Sequence, residues 1–270
     1  GPRWWINCGR CALARAGLPG PARHAAPALV PLFAWRAHLL EEGLSRAAAL
    51  TAPTAFTRDV YRQMGLDGRI DIVPNGIPLP SVLPQRETPR DGLRLAYLGS
   101  VAPPKGVHVL VEALNQLPTD GVSLDMYGGL ESFPEYVAQL HSAAHHPGIR
   151  WHGRLPHEEV LHRLAQADAV VVPSIWYETA VLVIQEAFAV GVPVVASNLG
   201  ALAERVRHDE DGLLFAPDDA GDLAAALRRL IEEAHLLARL RAGIRPVHTI
   251  AQQAEQLEGL YRRIGAEPQT

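Results

Sequence analysis

The chain has 270 residues, 48% of them hydrophobic, 20% charged and only 6% aromatic, which is the profile of a globular chain with a sizeable core and excludes disordered and collagen-like classes. A formal charge of −4 excludes a general nucleic-acid binder. Every apolar stretch is interrupted within about a dozen residues, short of the roughly 20 that span a bilayer, and no signal peptide is visible, so the sequence reads as cytoplasmic.

In chain order, Gly1-Pro2 reads as the scar of a cleaved tag. Cys8 and Cys11 are the only cysteines. Their C-x-x-C spacing is half a zinc site without a second half, so a local hairpin is expected there and no metal. Leu29–Ala47 and Pro53–Met64 have helical spacing around a short strand at Ala48–Thr51. Ile70–Val73 is a second short strand, and the proline-rich Pro78–Pro89 is a connector.

From Leu93 onward strands and helices alternate. Strands are expected at Leu93–Leu98, Val122–Tyr127, Ile149–His152, Ala169–Val172, Pro193–Ala196 and Gly212–Phe215. Helices are expected at Val107–Leu117, Phe133–Ala144, Glu158–Gln166, Ala180–Val190, Ala201–Arg207 and Asp219–Ala234, with a last one at Thr249–Ile264. This order predicts an α/β fold with a Rossmann-like, doubly wound parallel sheet. Ligands of such sheets sit beyond the carboxyl ends of the strands. The residues before 93 suffice only for an incomplete α/β remnant. The expected division is a remnant at 3–74, a ligand-binding domain at 75–243 and a C-terminal helix at 244–270.

Three strand-to-helix loops carry candidate chemistry. Gly99-Ser100-Val-Ala-Pro-Pro-Lys105-Gly106 places an ammonium where a helix begins, and a helix start with a cation beside it attracts anions. Lys105 is the one lysine among 25 basic residues. A chain that uses Arg everywhere else and keeps Lys here points to a need for a compact charge; a solvated lysine in an ordinary loop is the alternative. The second loop, from Trp176 to Glu178, leads into the apolar run Ala180–Ile184. If that run opens a buried helix, its free N–H groups need an acceptor. Glu186, a carboxylate on an apolar helix, needs hydroxyls or a cation. The plainer alternatives are that Glu178 caps the helix and Glu186 pairs with an Arg. The third loop, Gly153-Arg154-Leu155-Pro156, could lay its backbone along a base or be a plain turn. Glu204, after Gly200, has a solvent-facing reading. No hydrolytic triad is visible, and Ser174 lacks the nucleophile-elbow glycines.

Taken together these segments resemble the family-4 retaining glycosyltransferases of the GT-B fold. The resemblance runs from about Ile70 to Glu233. Its most specific part is E-x7-E, Glu178 to Glu186, followed by Ala-Phe-Ala-Val-Gly-Val-Pro-Val-Val-Ala-Ser. Val-Pro-Asn-Gly-Ile at 73–77, Leu-Gly-Ser…Lys-Gly-Val at 98–107, Trp-His-Gly-Arg-Leu at 151–155 and Asp-Gly-Leu-Leu-Phe at 211–215 support it. The resemblance implies that Lys105 binds a diphosphate and that Glu178 contacts the donor sugar. It implies N–H groups at Thr179, Ala180, Val181 and Leu182 on the distal phosphate, and Glu186 on the ribose. Arg154 and Leu155 would meet the base, with Gly99, Ser100 and Gly128 lining the site. The activity implied is transfer of a sugar from a UDP-, GDP- or ADP-linked donor to a glycan, lipid-linked or small-molecule acceptor, with retention and without a required cofactor or metal. Peripheral membrane association would come through the domain not present here.

Departures from the family pattern are Ser100 where many relatives carry Arg, and Ala201 where a second Gly is common. Most of the acceptor-side domain is missing, so the sequence reads as a truncated piece or a half-enzyme. The competing expectations are a non-catalytic nucleotide-sugar-binding partner subunit, and a nucleotide-sugar epimerase or phosphorylase of the same fold.

Overall fold

The structure, a computed structural model, describes residues 2–17, 20–66, 68–85 and 92–266. Gly1 and the later part of the proline-rich connector, 86–91, lie outside the described residues. The chain forms two units: Gly1–Thr51 with Tyr61–Asp71, and Ala52–Val60 with Ile72–Thr270.

The first unit begins with α1 (Pro2–Arg15), a 3-10 stretch at Gly20–Leu29 and α2 (Val30–Ser45). A two-stranded sheet pairs β1 (Leu50–Ala52) with β2 (Ile70–Ile72) around α3 (Ala55–Gln63). Cys8 and Cys11 lie one turn apart on α1, both exposed and free. The expected hairpin is therefore corrected to a helix. Ala12, Leu13 and Ala14 are strong helix formers, and no turn pair interrupts them.

The second unit continues with β3 (Leu93–Leu98), a 3-10 turn at Pro103–Lys105, α4 (Val107–Leu114), β4 (Val122–Tyr127), α5 (Pro134–Ala143) and β5 (Ile149–Gly153). After a 3-10 turn at His157–Glu159 follow α6 (Val160–Ala165), β6 (Ala169–Val172), α7 (Leu182–Ala189), β7 (Val194–Ser197) and α8 (Gly200–Arg205). The chain closes with β8 (Gly212–Phe215), α9 (Ala220–Glu232), α10 (Leu236–Gly243) and α11 (Ile250–Ala266). Asp219 caps α9 by accepting from Asp222 N at 2.9 Å. No helix among the described residues is long and apolar enough to cross a membrane.

All six strands β3–β8 are parallel, in the order β5-β4-β3-β6-β7-β8. Side-chain alternation explains why both faces are covered. On β6, Ala169 and Val171 join the core under α4, α5 and α9, while Val170 and Val172 join the core under α6, α7 and α8. Likewise Val195 of β7 faces the first core, and Val194 and Ala196 the second. At the amino ends of β3 and β6, buried Asp168 accepts from Arg94 N at 2.9 Å and pairs with Arg241 at 3.3 Å. Polar groups thus hold the edge away from the loops of interest.

The order reverses between β3 and β6. The loop leaving β3 runs to the α4 side and the loop leaving β6 to the α7 side, which opens a crevice at the carboxyl edge. The two loops are joined there. Ile175 N donates to Pro104 O at 3.1 Å, and Ser174 Oγ lies 3.0 Å from the same carbonyl. Gly106 permits that closeness: its φ is +66°, and a Cβ would stand 1.9 Å from Pro173 O. Gly106→Ala therefore combines backbone strain of about 1–3 kcal/mol with a clash against main chain. We expect its urea midpoint to fall by at least the equivalent of about 2 kcal/mol with an unchanged m-value; a midpoint within error of the parent would contradict this close crossing.

Candidate functional site

The crevice is built from the loops after β3 and β6. After Gly99 the chain passes Ser100, whose carbonyl accepts from buried Tyr97 Oη at 2.8 Å. Burial pushes the Tyr97 hydroxyl well above its usual pKa, so it stays a neutral donor and pins the loop. The 3-10 turn then delivers Lys105 just before α4. Gly128 lies against this loop so tightly that a Cβ would meet Gly99 O at 2.0 Å. The end of β4 is thereby held beside the end of β3.

From the other side, Glu178 is brought to Lys105. Lys105 Nζ donates to Glu178 Oε1 at 2.7 Å, and Ser174 Oγ donates to the same oxygen at 2.9 Å. The side chains remain 37% and 18% exposed, so the pair lies in the crevice wall, open to an incoming ligand. Glu178 does not cap a helix. Ser174, read in the sequence only for its missing elbow, turns out to position this carboxylate.

The run Ala180–Ile184 is not a buried helix start. α7 begins at Leu182, with Val181 extended at φ −116° and offering no side-chain cap. Thr179 and Leu182 are exposed, and Ala180 and Val181 half-buried. The physical reason is that an apolar run carries no N-cap signal, and β-branched Val181 favours extended backbone. The first turn of α7 thus runs from exposed Leu182 to buried Ile184 and Gln185.

Residues far away in sequence hold this loop. Thr54 Oγ1 and Thr57 Oγ1, hydrogen-bonded to each other at 2.8 Å, both stand within reach of Thr179 O, at 3.2 and 3.3 Å. Phe56 stacks on Tyr177 with centroids 5.2 Å apart. Glu204 does not face solvent idly: its two oxygens accept from Ala55 N at 3.0 Å and Phe56 N at 2.8 Å, which satisfies the start of α3. Thr54 and Thr57 had one readable signal, a T-x-x-T cap in which Thr57 N donates to Thr54 Oγ1 at 3.1 Å. Nothing in the sequence ties that cap to Thr179.

Glu186 is half-buried on α7 and takes no hydrogen bond or ion pair among the described residues. Burial raises its pKa, and only His157 nearby opposes the shift. The pairing with an Arg is not found. Leu155 packs against the α6–α7 core. Arg154 is drawn instead to Glu131, at 2.5 Å on the open surface, a contact worth little. The structure thus brings Lys105 and Glu178 together with the loops of Gly99, Ser100 and Gly128, and leaves Arg154 turned to a neighbouring loop.

This is the architecture of one Rossmann-like half of the GT-B glycosyltransferases. The chain belongs to the family described as glycosyl transferases group 1, whose family model matches residues 83–245. It is 33% identical over 202 residues to a glycogen synthase of Mycobacterium tuberculosis, covering 73% of this chain and 49% of that protein. It is 35% identical over 225 residues to a D-inositol 3-phosphate glycosyltransferase of Xylanimonas cellulosilytica, covering 76% and 54%. The chain therefore spans about half the length of the curated relatives it matches. Among solved structures, sucrose-phosphate synthase from Thermosynechococcus elongatus superposes with a TM-score of 0.74 at 26% identity, covering 85% of this chain and 61% of that one. Anabaena HepE in complex with UDP and glucose superposes with a TM-score of 0.70 at 22% identity, covering 80% and 64%.

Proposed function

We propose that this chain is the nucleotide-sugar-binding half of a retaining glycosyltransferase. The observation that carries the reading is the Lys105–Glu178 pair at the point where the strand order reverses. A compact cation stands there beside an uncapped helix start, and a diphosphate could meet both. UDP is the nucleotide we infer, because a solved neighbour carries it; GDP and ADP are alternatives within the same chemistry.

In this reading the diphosphate enters between Lys105 and the amides at 179–182, with the backbone at Gly99, Ser100 and Gly128 along its path. Glu178, freed in part from the ammonium, accepts from sugar hydroxyls and stays oriented by Ser174. Glu186 accepts from the ribose hydroxyls, and the backbone at Arg154-Leu155 meets the base. The bond between the anomeric carbon and the phosphate oxygen breaks, and its electron pair leaves on the diphosphate. Lys105 stabilises that growing charge. The acceptor oxygen bonds to the anomeric carbon on the same face, and its proton passes to the departing phosphate oxygen. Residues 75–243 serve the donor; the acceptor is bound elsewhere in the whole enzyme.

Calorimetry with UDP tests this reading. Saturable binding at one site is expected, and a crystal of the complex should show the diphosphate between Lys105 and the first turn of α7. A nucleotide found at the opposite edge, beside Asp168, would overturn it.

A further inference from the structure

The start of α3 grips the loop that carries Glu178 on both sides of that residue, and both segments belong to the second unit. On one side Phe56 stacks on Tyr177, with the ring planes 28° apart. Gly200, where α8 begins, makes room for the stack. Its φ is +53°, and a Cβ there would stand 2.9 Å from the Phe56 ring and 3.0 Å from that of Tyr177. On the other side the Thr179 carbonyl is turned to the Thr54 and Thr57 hydroxyls. No main-chain N–H among the described residues donates to that oxygen.

The two hydroxyls are themselves fixed. Thr54 is fully buried and Thr57 is 7% exposed, and buried hydroxyls need partners. Thr54 Oγ1 also accepts from Thr57 N. Each hydroxyl carries one proton. Whichever of the two donates to the other, the second keeps its proton for Thr179 O. Behind them Glu204 holds the amides of Ala55 and Phe56, so the pair stands on anchored main chain.

The effect reaches the far edge of the same peptide unit. That unit is planar and trans, so its C=O and N–H point in opposite directions. Holding Thr179 O toward α3 therefore turns the Ala180 N–H away from α3. This N–H donates to no acceptor among the described residues. Ala180 is half-buried and follows Glu178, which Lys105 holds in the crevice wall, by two residues.

Building on the proposed donor site, we propose that Thr54 and Thr57 are positioning residues, which hold the Thr179 carbonyl so that the Ala180 N–H meets the distal phosphate of the nucleotide sugar. An amide aimed in advance binds an anion without the cost of ordering its loop. The Phe56–Tyr177 stack keeps the other end of the loop in place. If the threonines served only to satisfy a carbonyl, their loss would touch every nucleotide alike.

Calorimetry on the intact chain with UDP and with UMP, which lacks the distal phosphate, is the test. Thr54→Val/Thr57→Val keeps the side-chain shapes and removes both hydroxyls. Its UDP affinity should fall by at least about tenfold, while its UMP affinity changes by no more than about twofold. Thr54→Ser/Thr57→Ser restores the hydroxyls and should restore UDP binding. Thr57→Val alone leaves Thr54 to donate to Thr179 O and should lose far less than the double variant. The parent gives a readout that needs no variant: its Ala180 amide proton should move downfield on adding UDP and stay in place with UMP. A valine pair that binds UDP like the parent, equal losses for UDP and UMP, or an Ala180 amide unmoved by bound UDP would each overturn the positioning role and leave the donor site standing. A parent that does not bind UDP would overturn both.

Discussion

Replacing Lys105 with Ala is expected to weaken UDP binding by roughly 10–100-fold, the loss of about 1.5–3 kcal/mol that a hydrogen bond to a charged group supplies. In the whole enzyme kcat should fall further, by about 10²–10³, because the ammonium acts most on the charge that develops as the diphosphate leaves. Lys105→Arg should not rescue it. The ammonium fits between Glu178 Oε1, at 2.7 Å, and the incoming phosphate, where a planar fork does not. Stability must be read separately. Losing Lys105 leaves the Glu178 carboxylate with Ser174 as its one hydrogen-bond donor, which should cost about 1 kcal/mol at most, since the pair is partly exposed. The double variant Lys105→Ala/Glu178→Gln should recover the melting temperature and not the affinity. If the single variant keeps the parent's affinity for UDP, Lys105 is not the phosphate ligand.

The second large effect is expected at Glu186, and there stability and affinity should move in opposite directions. Burial raises the pKa of this carboxyl, so the charged form is costly in the free fold. Glu186→Gln removes that cost, and the variant should melt at the parent's temperature or above it at neutral pH. Its UDP affinity should nevertheless drop at least tenfold, because a neutral amide accepts less strongly from the ribose hydroxyls. The pH dependence follows from the direction of the shift. A raised folded pKa means that the group favours the fold at low pH and that this contribution is lost as pH rises through the folded value. Under the proposed function nucleotide binding needs the anion and should run the other way. The melting increment given by UDP should therefore shrink as pH falls from neutrality through the raised value towards the ordinary carboxylate range. Titrating thermal shift against pH for parent and variant checks this. A slope that persists in Glu186→Gln would assign the pH dependence to another group.

How much of this was legible in the residues depends on the range of the interactions involved. The alternating strands were readable because burial on both faces leaves wholly apolar runs such as Ala169–Val172. The reversal between β3 and β6 places the loops after both strands at one crevice, and the unusual lysine marked one of them. The beginning of α7 was misread because Ala180–Ile184 offers hydrophobicity without a boundary. α10 (Leu236–Gly243) was not anticipated; it follows α9 after a break at His235, whose left-handed φ of +69° no glycine announced. The supports of the Glu178 loop were illegible for a different reason. Thr54, Thr57 and Glu204 act over separations of 122 to 149 residues, and nothing local to any of them names its partner. Arg154 shows the converse: it lies in the loop the sequence places it in, and its side chain pairs with the exposed carboxylate of Glu131.

The discontinuity of the second unit has a consequence for how the protein is made. The stretch Ala52–Val60 leaves the ribosome before the six-stranded sheet of its unit, and Ala55 precedes its carboxylate partner Glu204 by 149 residues. At synthesis rates of about 5–20 residues per second, that is a wait of roughly 7–30 s. Throughout it the amides of Ala55 and Phe56 lack the carboxylate of Glu204, and the two threonines have no carbonyl of Thr179 to hold. The support of the Thr179 loop is thus completed only when a segment made early meets one made about 120 to 150 residues later.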